Sequence, residues 1–399
     1  MIPPVLPRAL VERPVVQRTA VHRIACAVVA AELRRLRDTD GRNAIKGDWP
    51  EAMPIGDEGL GLDSIEQLGA LGALAEAFDL DDSVLSDDPP QTVGAWVDWI
   101  LQTHAAGDGR MTVTTSGSTG RPKPCVHAVA DLLDEAAFLA TRLTGRRRVV
   151  ALVPAHHLYG IVWTALLPDA LAVPVAVRTI GAPLALTAGD LVIAVPDQWQ
   201  ALSRIVRRFP EDIVGVSSGG KLDDGIASGL LAAGLARLID IYGASETGGI
   251  AMRDVPATAY DLLPRWRLSA QGDDDWRLTD RGDREYDLPD HIERIGDRAL
   301  RPLGRRDGAV QVAGHNVWPE RVARQLRTVD GVADAAVRLH ANGRLKAFVV
   351  PNPHHDPVAL AAVLERTVIT HLSEPERPKS FRFGAALPRN AMGKLEDWA

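Results

Sequence analysis

Residues 112–124 read Thr-Val-Thr-Thr-Ser-Gly-Ser-Thr-Gly-Arg-Pro-Lys-Pro, a run whose residue types suit an anion. An apolar strand around Met111 and Val113 gives way to hydroxyl residues and two glycines, and Lys123 closes the loop. Glycines let backbone amides approach an anion, hydroxyls donate to its oxygens, and a lysine neutralises its charge. Thr115, Ser116, Gly117, Ser118, Thr119, Gly120 and Lys123 are therefore candidates to hold a polyphosphate. The spacing is not that of a Walker loop, because no Gly-Lys-Ser/Thr opens a following helix. A flexible linker would have a similar composition. The apolar strand before it and the helix-like stretch from Ala128 to Thr141 after it argue for a built loop instead.

Three later segments repeat the theme of placed polar groups: Ile241–Gly249 (IYGASETGG), Ile295–Pro319 (IGDRALRPLGRRDGAVQVAGHNVWP) and Leu387–Lys394 (LPRNAMGK). Four such motifs in this order resemble the adenylate-forming superfamily of acyl-CoA synthetases, aryl-CoA ligases and carrier-loading adenylation domains. The resemblance implies ATP and Mg2+ as cofactors. It makes Glu246 the magnesium ligand, Ser245 a donor to the α-phosphate and Tyr242 the adenine-stacking ring, with Gly219 and Gly243 beside the base. Asp297 matches the acid that binds both ribose hydroxyls, a vicinal diol suited to two carboxylate oxygens, and Arg305 matches a nearby base. Lys394 matches the cation that reaches into the cleft during adenylation. His157, in Pro154-Ala155-His156-His157-Leu158-Tyr159, matches the histidine that gates the acyl cleft, and Trp163, Gly243 and Gly248 match its walls. Asp307 falls at the hinge, and the loop after Gly314 edges the thiol tunnel.

The chemistry explains why such residues are needed. Joining a carboxylate to the α-phosphate of ATP brings two anions together, a repulsion of about 4 kcal/mol at contact even at a moderately screened dielectric. Cations must stand where charge builds up, and a divalent metal must neutralise the leaving pyrophosphate.

These residues need elements to position them. The chain has 399 residues, enough for two or three domains. Its net charge is −7, with acids and bases interspersed, so nothing suggests nucleic acid as a partner. Its two cysteines, Cys26 and Cys125, give no disulfide framework. The N-terminus carries charges in place of an apolar signal core, and no run has the length of a membrane span. A soluble cytoplasmic protein is expected.

The expected fold is α/β: a shortened adenylate-forming large domain and a small mobile α+β C-terminal domain, preceded by a helical acyl-carrier-like segment. A loose arm occupies 1–18. Residues 19–106 give helix, long loop, Gly61-Leu62-Asp63-Ser64-Ile65, a second helix carrying Leu68, Leu71, Ala75 and Phe78, and a last helix capped by Thr92. That order resembles an acyl carrier domain, in which the serine at the Ser64 position carries phosphopantetheine. Ser64 followed by Gln67 is also a capping box, which starts a helix with or without a prosthetic group. The adenylating body spans 108–303. Its strand-like runs at 149–153, 173–177, 191–195 and 238–241 alternate with helices, the pattern of an α/β layered sheet. The family's usual first subdomain is missing or replaced, and a homodimer is one way to supply the lost wall. Residues 304–399 form the small domain.

The expected activity is activation of a carboxylic acid as acyl-AMP, with an aromatic acid such as hydroxybenzoate or cinnamate favoured. Transfer to the phosphopantetheine thiol of an acyl carrier protein follows, as in aryl-polyene-type pigment ligases. Transfer to free CoA is the alternative, and a non-catalytic nucleotide-binding or docking module is the rival from another class.

Overall fold

The computed structural model describes residues 16–37, 47–80, 89–104, 109–116, 122–271, 275–313, 315–389 and 395–398. Three helices come first: α1 (Arg18–Leu36), α2 (Ser64–Phe78) and α3 (Val93–His104). Ala25, Val29 and Leu33 are buried on α1, and Val93, Trp96, Val97 and Ile100 on α3, as their spacing predicts. Thr92 Oγ1 accepts the Ala95 N–H at 3.1 Å and so caps α3.

α2 departs from expectation twice. Leu68 is 70% exposed. The buried stripe runs through Ala70, Leu71, Leu74 and Phe78, and at about 100° per residue Leu68 faces away from it. The cap also belongs to Asp63, not to Ser64. Asp63 Oδ1 accepts the Glu66 N–H at 2.8 Å and Glu66 Oε2 accepts the Asp63 N–H at 3.2 Å, a reciprocal capping box one residue earlier than the Ser64–Gln67 pairing. The Gln67 side chain donates to the Leu62 carbonyl at 2.8 Å. Ser64 is the exposed first residue of the helix.

These helices are not set apart from the body. Their buried side chains share one continuous apolar core with Met111, Val113, Leu132, Trp163, Ile193 and Ile250. α1 is also tied to Asp169: Thr19 Oγ1 donates to its carboxylate at 2.7 Å and Arg23 lies 3.4 Å away. The segment expected as a carrier-like module thus forms an outer helical layer on the body.

Next come the antiparallel pair β1 (Arg110–Ser116) and β2 (Pro122–Ala128), then α4 (Val129–Arg142) and β3 (Arg148–Ala151). A helical stretch follows, made of α5 (Leu158–Gly160), a π-helical turn (Ile161–Leu166) and α6 (Leu167–Leu171). Then come β4 (Val175–Val177), β5 (Asp190–Ala194), α7 (Pro196–Ile205), β6 (Val214–Ser217), α8 (Asp224–Ala232), β7 (Arg237–Ala244), β8 (Gly248–Asp254) and β9 (Tyr260–Leu262). β10 (Arg267–Ala270), β11 (Trp276–Thr279) and β12 (Glu285–Asp287) make a small antiparallel sheet, and β13 (Asp290–Gly296) and β14 (Ala299–Arg305) a hairpin.

Nine strands form the central sheet in the order β13-β14-β9-β8-β7-β6-β5-β3-β4. The β4, β3, β5, β6 and β7 group is parallel, and the rest are antiparallel. Its side chains alternate as a doubly covered sheet requires. Val149, Leu191, Ile193, Val216 and Ile239 face the large core, while Val150, Val192, Ala194 and Leu238 pack with Trp199, Leu202 and Leu230 of α7 and α8. The Arg146–Arg148 run is engaged in ion pairs. Arg146 pairs with Asp212 at 2.8 Å and Arg148 with buried Asp190 at 2.5 Å.

Beyond Arg305 the chain makes β15 (Val310–Val312), β16 (His315–Val317), α9 (Pro319–Arg327), β17 (Val332–Leu339), β18 (Leu345–Pro351), α10 (Pro357–His371) and β19 (Ser380–Phe383). This region has its own core around Val322, Leu326, Ala347, Val349 and Leu364. Among the described residues no helix is long and apolar enough to cross a membrane.

Candidate active site

The carboxyl ends of the parallel strands converge on one edge of the sheet, the edge where open α/β folds bind ligands. β3 leads to His156 and His157, β6 to Ser218 and Gly219, and β7 through Tyr242 to Ser245 and Glu246. The β1–β2 hairpin arrives at the same edge. Lys123 lies in β2 opposite Thr115, so it occupies a strand and not the loop end that its sequence suggested. Its Nζ stands 3.9 Å from Glu246 Oε1, both side chains well exposed. A lysine and a carboxylate so placed suit a polyphosphate with its divalent counter-ion. Among the described residues no group of three or more His, Cys, Asp or Glu forms a metal cage. A magnesium ion here would rest on Glu246 and on the phosphate oxygens it accompanies, the usual shell for that ion.

Two connections hold this edge in shape. His127 of β2 is buried, and its Nε2 lies 2.7 Å from the Ser245 carbonyl, binding the phosphate hairpin to the Glu246 loop. Burial lowers the His127 pKa, so the ring is neutral and donates through Nε2. Gly243 is required by close approach, since a Cβ there would meet the Gly248 carbonyl oxygen at 2.5 Å.

Tyr242 stands at the next position along the edge. Its hydroxyl donates to Asp290 Oδ2 at 2.9 Å, and its ring meets Tyr260 edge-on at 6.1 Å. Asp290 pairs across the hairpin with Arg305. Burial raises the Asp290 pKa, opposed by the Tyr242 bond and by Arg305. Arg305 in turn grips Asp307 at 2.8 Å, at the entrance to the small domain.

Asp297 does not stand beside Tyr242. It sits at the tip of the β13–β14 hairpin, is 98% exposed and pairs with Arg294 at 2.7 Å. Seven residues of strand, roughly 20 Å, separate it from Asp290. The acid that the fold sets beside Tyr242 and Arg305 is Asp290. The hairpin carries the Asp297 of the Ile-Gly-Asp triplet away from Tyr242, and its register opposite Arg305 brings Asp290 there instead.

His157 lies on the open wall of the cleft, with His156 behind it at a ring separation of 4.1 Å. Burial, with His157 and Arg34 adding to it, pushes the His156 pKa down to about 3, so it is a neutral packed ring. Burial also lowers His157, and His315 of β16 lowers it further. The β15–β16 hairpin therefore faces this wall, and Gln311 Oε1 would lie 3.7 Å from a Cβ on Gly220. Trp163 is only 1% exposed and packs within the core of the π-helical turn, behind the cleft surface.

A scan against family models matches residues 86–278 to "AMP-binding enzyme". The chain is 38% identical over 367 residues to a 4-coumarate–CoA ligase of Halorhodospira halophila, covering 88% of this chain and 93% of that protein. It is 39% identical over 401 residues to a 4-coumarate–CoA ligase of Rhodobacter capsulatus, covering 95% of this chain and all of that one. The chain belongs to the AMP-binding enzyme family. Among solved structures, an o-succinylbenzoate CoA synthetase of Bacillus subtilis aligns with a TM-score of 0.58 at 20% identity over 71% of this chain and 67% of that one, which supports the fold. This AMP-binding enzyme is thus an ATP-dependent acid–thiol ligase that activates a carboxylic acid.

Some expected site residues lie outside the described residues: Gly117, Ser118, Thr119, Gly120 and Lys394. Thr115 and Ser116 are described only as strand backbone. The base of the Lys394 loop is described and well held. Arg389 bridges to Leu395, the Glu396 N–H bonds the Pro388 carbonyl at 2.8 Å, and Arg338 donates to the Leu395 carbonyl. Trp398 is buried against Phe348, and Lys346 pairs with Asp397 at 2.8 Å. Four residues after Lys394 thus fasten its loop to the small-domain sheet.

Proposed function

We propose that this enzyme activates a hydroxycinnamate-class aromatic acid with ATP and passes it to the thiol of CoA. The observation that carries the reading is the convergence at the strand ends of Lys123 and Glu246, 3.9 Å apart, with Tyr242, Asp290 and Arg305 alongside. Lys123, Ser116 and Thr119 bind the β- and γ-phosphates, Glu246 takes the magnesium ion, and Ser245 donates to the α-phosphate. Tyr242, flanked by Gly219 and Gly243, packs on adenine. Asp290, in the place first given to Asp297, accepts from the ribose hydroxyls, with Arg305 supporting it.

In the first step the acid's carboxylate oxygen bonds to the α-phosphorus as the bond to the β-phosphate breaks, releasing pyrophosphate. Lys394 supplies the cation that offsets the added charge. In the second step a thiolate attacks the acyl carbon and AMP departs. His157 and the β15–β16 hairpin edge the side of the cleft from which the thiol enters. The relatives' names, 4-coumarate–CoA ligase, favour CoA over a carrier protein and a hydroxycinnamate over other acids. Packing of the N-terminal helices into the body's core favours a structural role for them over a swinging carrier. The pigment-type carrier-loading reading would instead require phosphopantetheine on a separate protein or on Ser64.

Acid-dependent ATP–pyrophosphate exchange over hydroxycinnamates, hydroxybenzoates and fatty acids tests the first step. Exchange restricted to aromatic acids, reduced about 10²–10³-fold in Lys394→Ala, is expected. Thioester formation with CoA or with a phosphopantetheinylated carrier then decides the acceptor. Exchange with fatty acids alone would overturn the aromatic reading.

A further inference from the structure

Past the Glu246 loop, a cavity of about 270 Å³ lies behind Gly249, between α4 and the turns after β9 and β11. There Glu135 Oε2 accepts the Gly249 N–H at 3.1 Å, Arg265 pairs with Asp131 at 3.0 Å, and its guanidinium stacks 4.5 Å over Trp266. Those contacts brace the fold. A second polar cluster reaches the nucleotide edge itself.

Asp240 of β7 and Arg253 of β8 are cross-strand partners, and both are buried. Arg253 donates to Asp240 Oδ2 through Nε at 3.0 Å and through Nη2 at 2.9 Å. Tyr260 of β9 donates its hydroxyl to the same oxygen at 2.5 Å, and the Arg253 guanidinium lies 5.0 Å over the Tyr260 ring. A buried ion pair contributes little to stability compared with apolar side chains of similar size. What this one supplies is geometry. Three donors converge on one oxygen, and the Tyr260 ring is held at its hydroxyl and over its face, as in other fully satisfied polar networks.

Tyr242 follows Asp240 by two residues, which puts both on one face of β7. Its ring meets the Tyr260 ring at 6.1 Å and 65°, the edge-on arrangement that aromatic pairs favour. Its hydroxyl is fixed by Asp290 at 2.9 Å. A bond at the tip does not set the plane of a tyrosine ring, because the ring still turns about the axis that runs through its hydroxyl, a torsion with broad preferences. A stacking surface depends on that plane. The edge-on contact with Tyr260 restricts the turn.

Building on the reading that adenine packs on Tyr242, we propose that Tyr260 is a positioning residue for the nucleotide: it sets the plane of the Tyr242 ring, and the Arg253–Asp240 pair sets Tyr260. A ring already ordered loses less freedom when adenine stacks on it, so the nucleoside part of ATP binds more tightly. The phosphate chain, at Lys123 and Glu246, gains nothing from this support.

The test is calorimetric binding of MgATP and of magnesium tripolyphosphate, which share a phosphate chain and differ by the nucleoside. The proteins compared are the wild type, Tyr260→Leu, Tyr260→Phe, Tyr242→Ala and the double variant Tyr242→Ala/Tyr260→Leu. Tyr260→Leu is expected to weaken MgATP about tenfold and tripolyphosphate by less than about twofold, the scale of one aromatic pair. Tyr260→Phe keeps the ring, loses the hydroxyl bond and should weaken MgATP by about threefold. In the Tyr242→Ala background, loss of Tyr260 should change MgATP binding by less than about twofold, because the residue acts through that ring. Unchanged MgATP binding in Tyr260→Leu, or in Tyr260→Phe should the first not fold, overturns the proposal. Parallel loss of both ligands overturns it too, since that pattern marks a residue that only supports the fold, and so does full additivity in the double variant. A loss in Tyr260→Leu with none in Tyr260→Phe keeps the role of the ring and removes that of the Arg253–Asp240 pair. If Tyr242→Ala binds MgATP as the wild type does, adenine does not pack on Tyr242 and both readings fall. If it binds more weakly while the Tyr260 variants do not, the positioning role alone falls.

Discussion

The strand-end edge and the Gly249 cavity lie on either side of one short loop, and they are built in opposite ways. At the edge, each functional group comes from a contiguous motif whose backbone does much of the work. Lys123 follows the glycine-hydroxyl run, Glu246 lies two residues past β7, and Gly243 permits an approach that no side chain would tolerate. In the cavity, Glu135 comes from α4, Gly249 from β8, and Leu263, Pro264 and Arg265 from the turn after β9. The edge is open and its charges are solvated; the cavity encloses a carboxylate and a guanidinium with unmet hydrogen bonds. Groups placed by contiguous motifs stand open at the edge, whereas the enclosed groups of the cavity are assembled by tertiary packing.

The sharpest way to break the comparison is to swap carboxylates within the β13–β14 hairpin. Asp290→Asn removes an acceptor from the Tyr242 hydroxyl and from the nucleotide, and kcat/KM for ATP should fall by about 10–100-fold, the scale of a hydrogen bond to a charged group. Asp297→Asn, at the solvated tip, should change it by less than about twofold, because exposed pairs contribute little. Steady-state kinetics with ATP as the varied substrate would decide. The reverse order would return the ribose role to Asp297 and show that the hairpin shifts its register when nucleotide binds.

That misplacement shows what was legible in the sequence. Continuous apolar runs located β3, β5 and β7 because both faces of these strands are buried, and helical spacing located α1 and α3 because burial on one face writes itself into a fixed period. The Glu246 turn was legible because Gly243 and Gly248 stand where the backbone demands glycine. Asp290 was not legible, since its partner Tyr242 is 48 residues distant and only strand register brings them together. His127 was missed for the same reason: its bond to the Ser245 carbonyl spans 118 residues. Nothing in the sequence singles out Glu135, whose contact with the Gly249 N–H spans 114 residues.

The enclosure of Glu135 has a measurable consequence for stability. Burial pushes the Glu135 carboxyl from its ordinary 4.5 up to about 7. The folded protein therefore holds this proton more tightly than the unfolded chain does. The stability linked to it is fully present below about 4.5 and is lost as pH rises through about 7. Thermal unfolding of the wild type and Glu135→Gln from pH 5.5 to 8 isolates the effect, because other groups cancel in the difference. The wild type should lose stability relative to the variant as pH rises. A constant difference across that range would mean that the carboxyl meets water freely, which would make the cavity as solvated as the strand-end edge.

The smallest expected effect concerns the N-terminal helices, where a site-like motif and a structural one overlap. If Ser64 started α2 with its side chain, Ser64→Ala would cost the usual 0.5–2 kcal/mol of a lost cap, roughly. The capping bonds run through Asp63 and Glu66 instead. Asp63→Ala should therefore lose about 1 kcal/mol in denaturant unfolding, and Ser64→Ala less than about 0.5 kcal/mol. Thioester formation with CoA should be the same in Ser64→Ala as in the wild type. A large loss of turnover in Ser64→Ala with unchanged stability would mean that this serine carries the acyl group after all, since a side chain with no structural bond can matter only through chemistry attached to it.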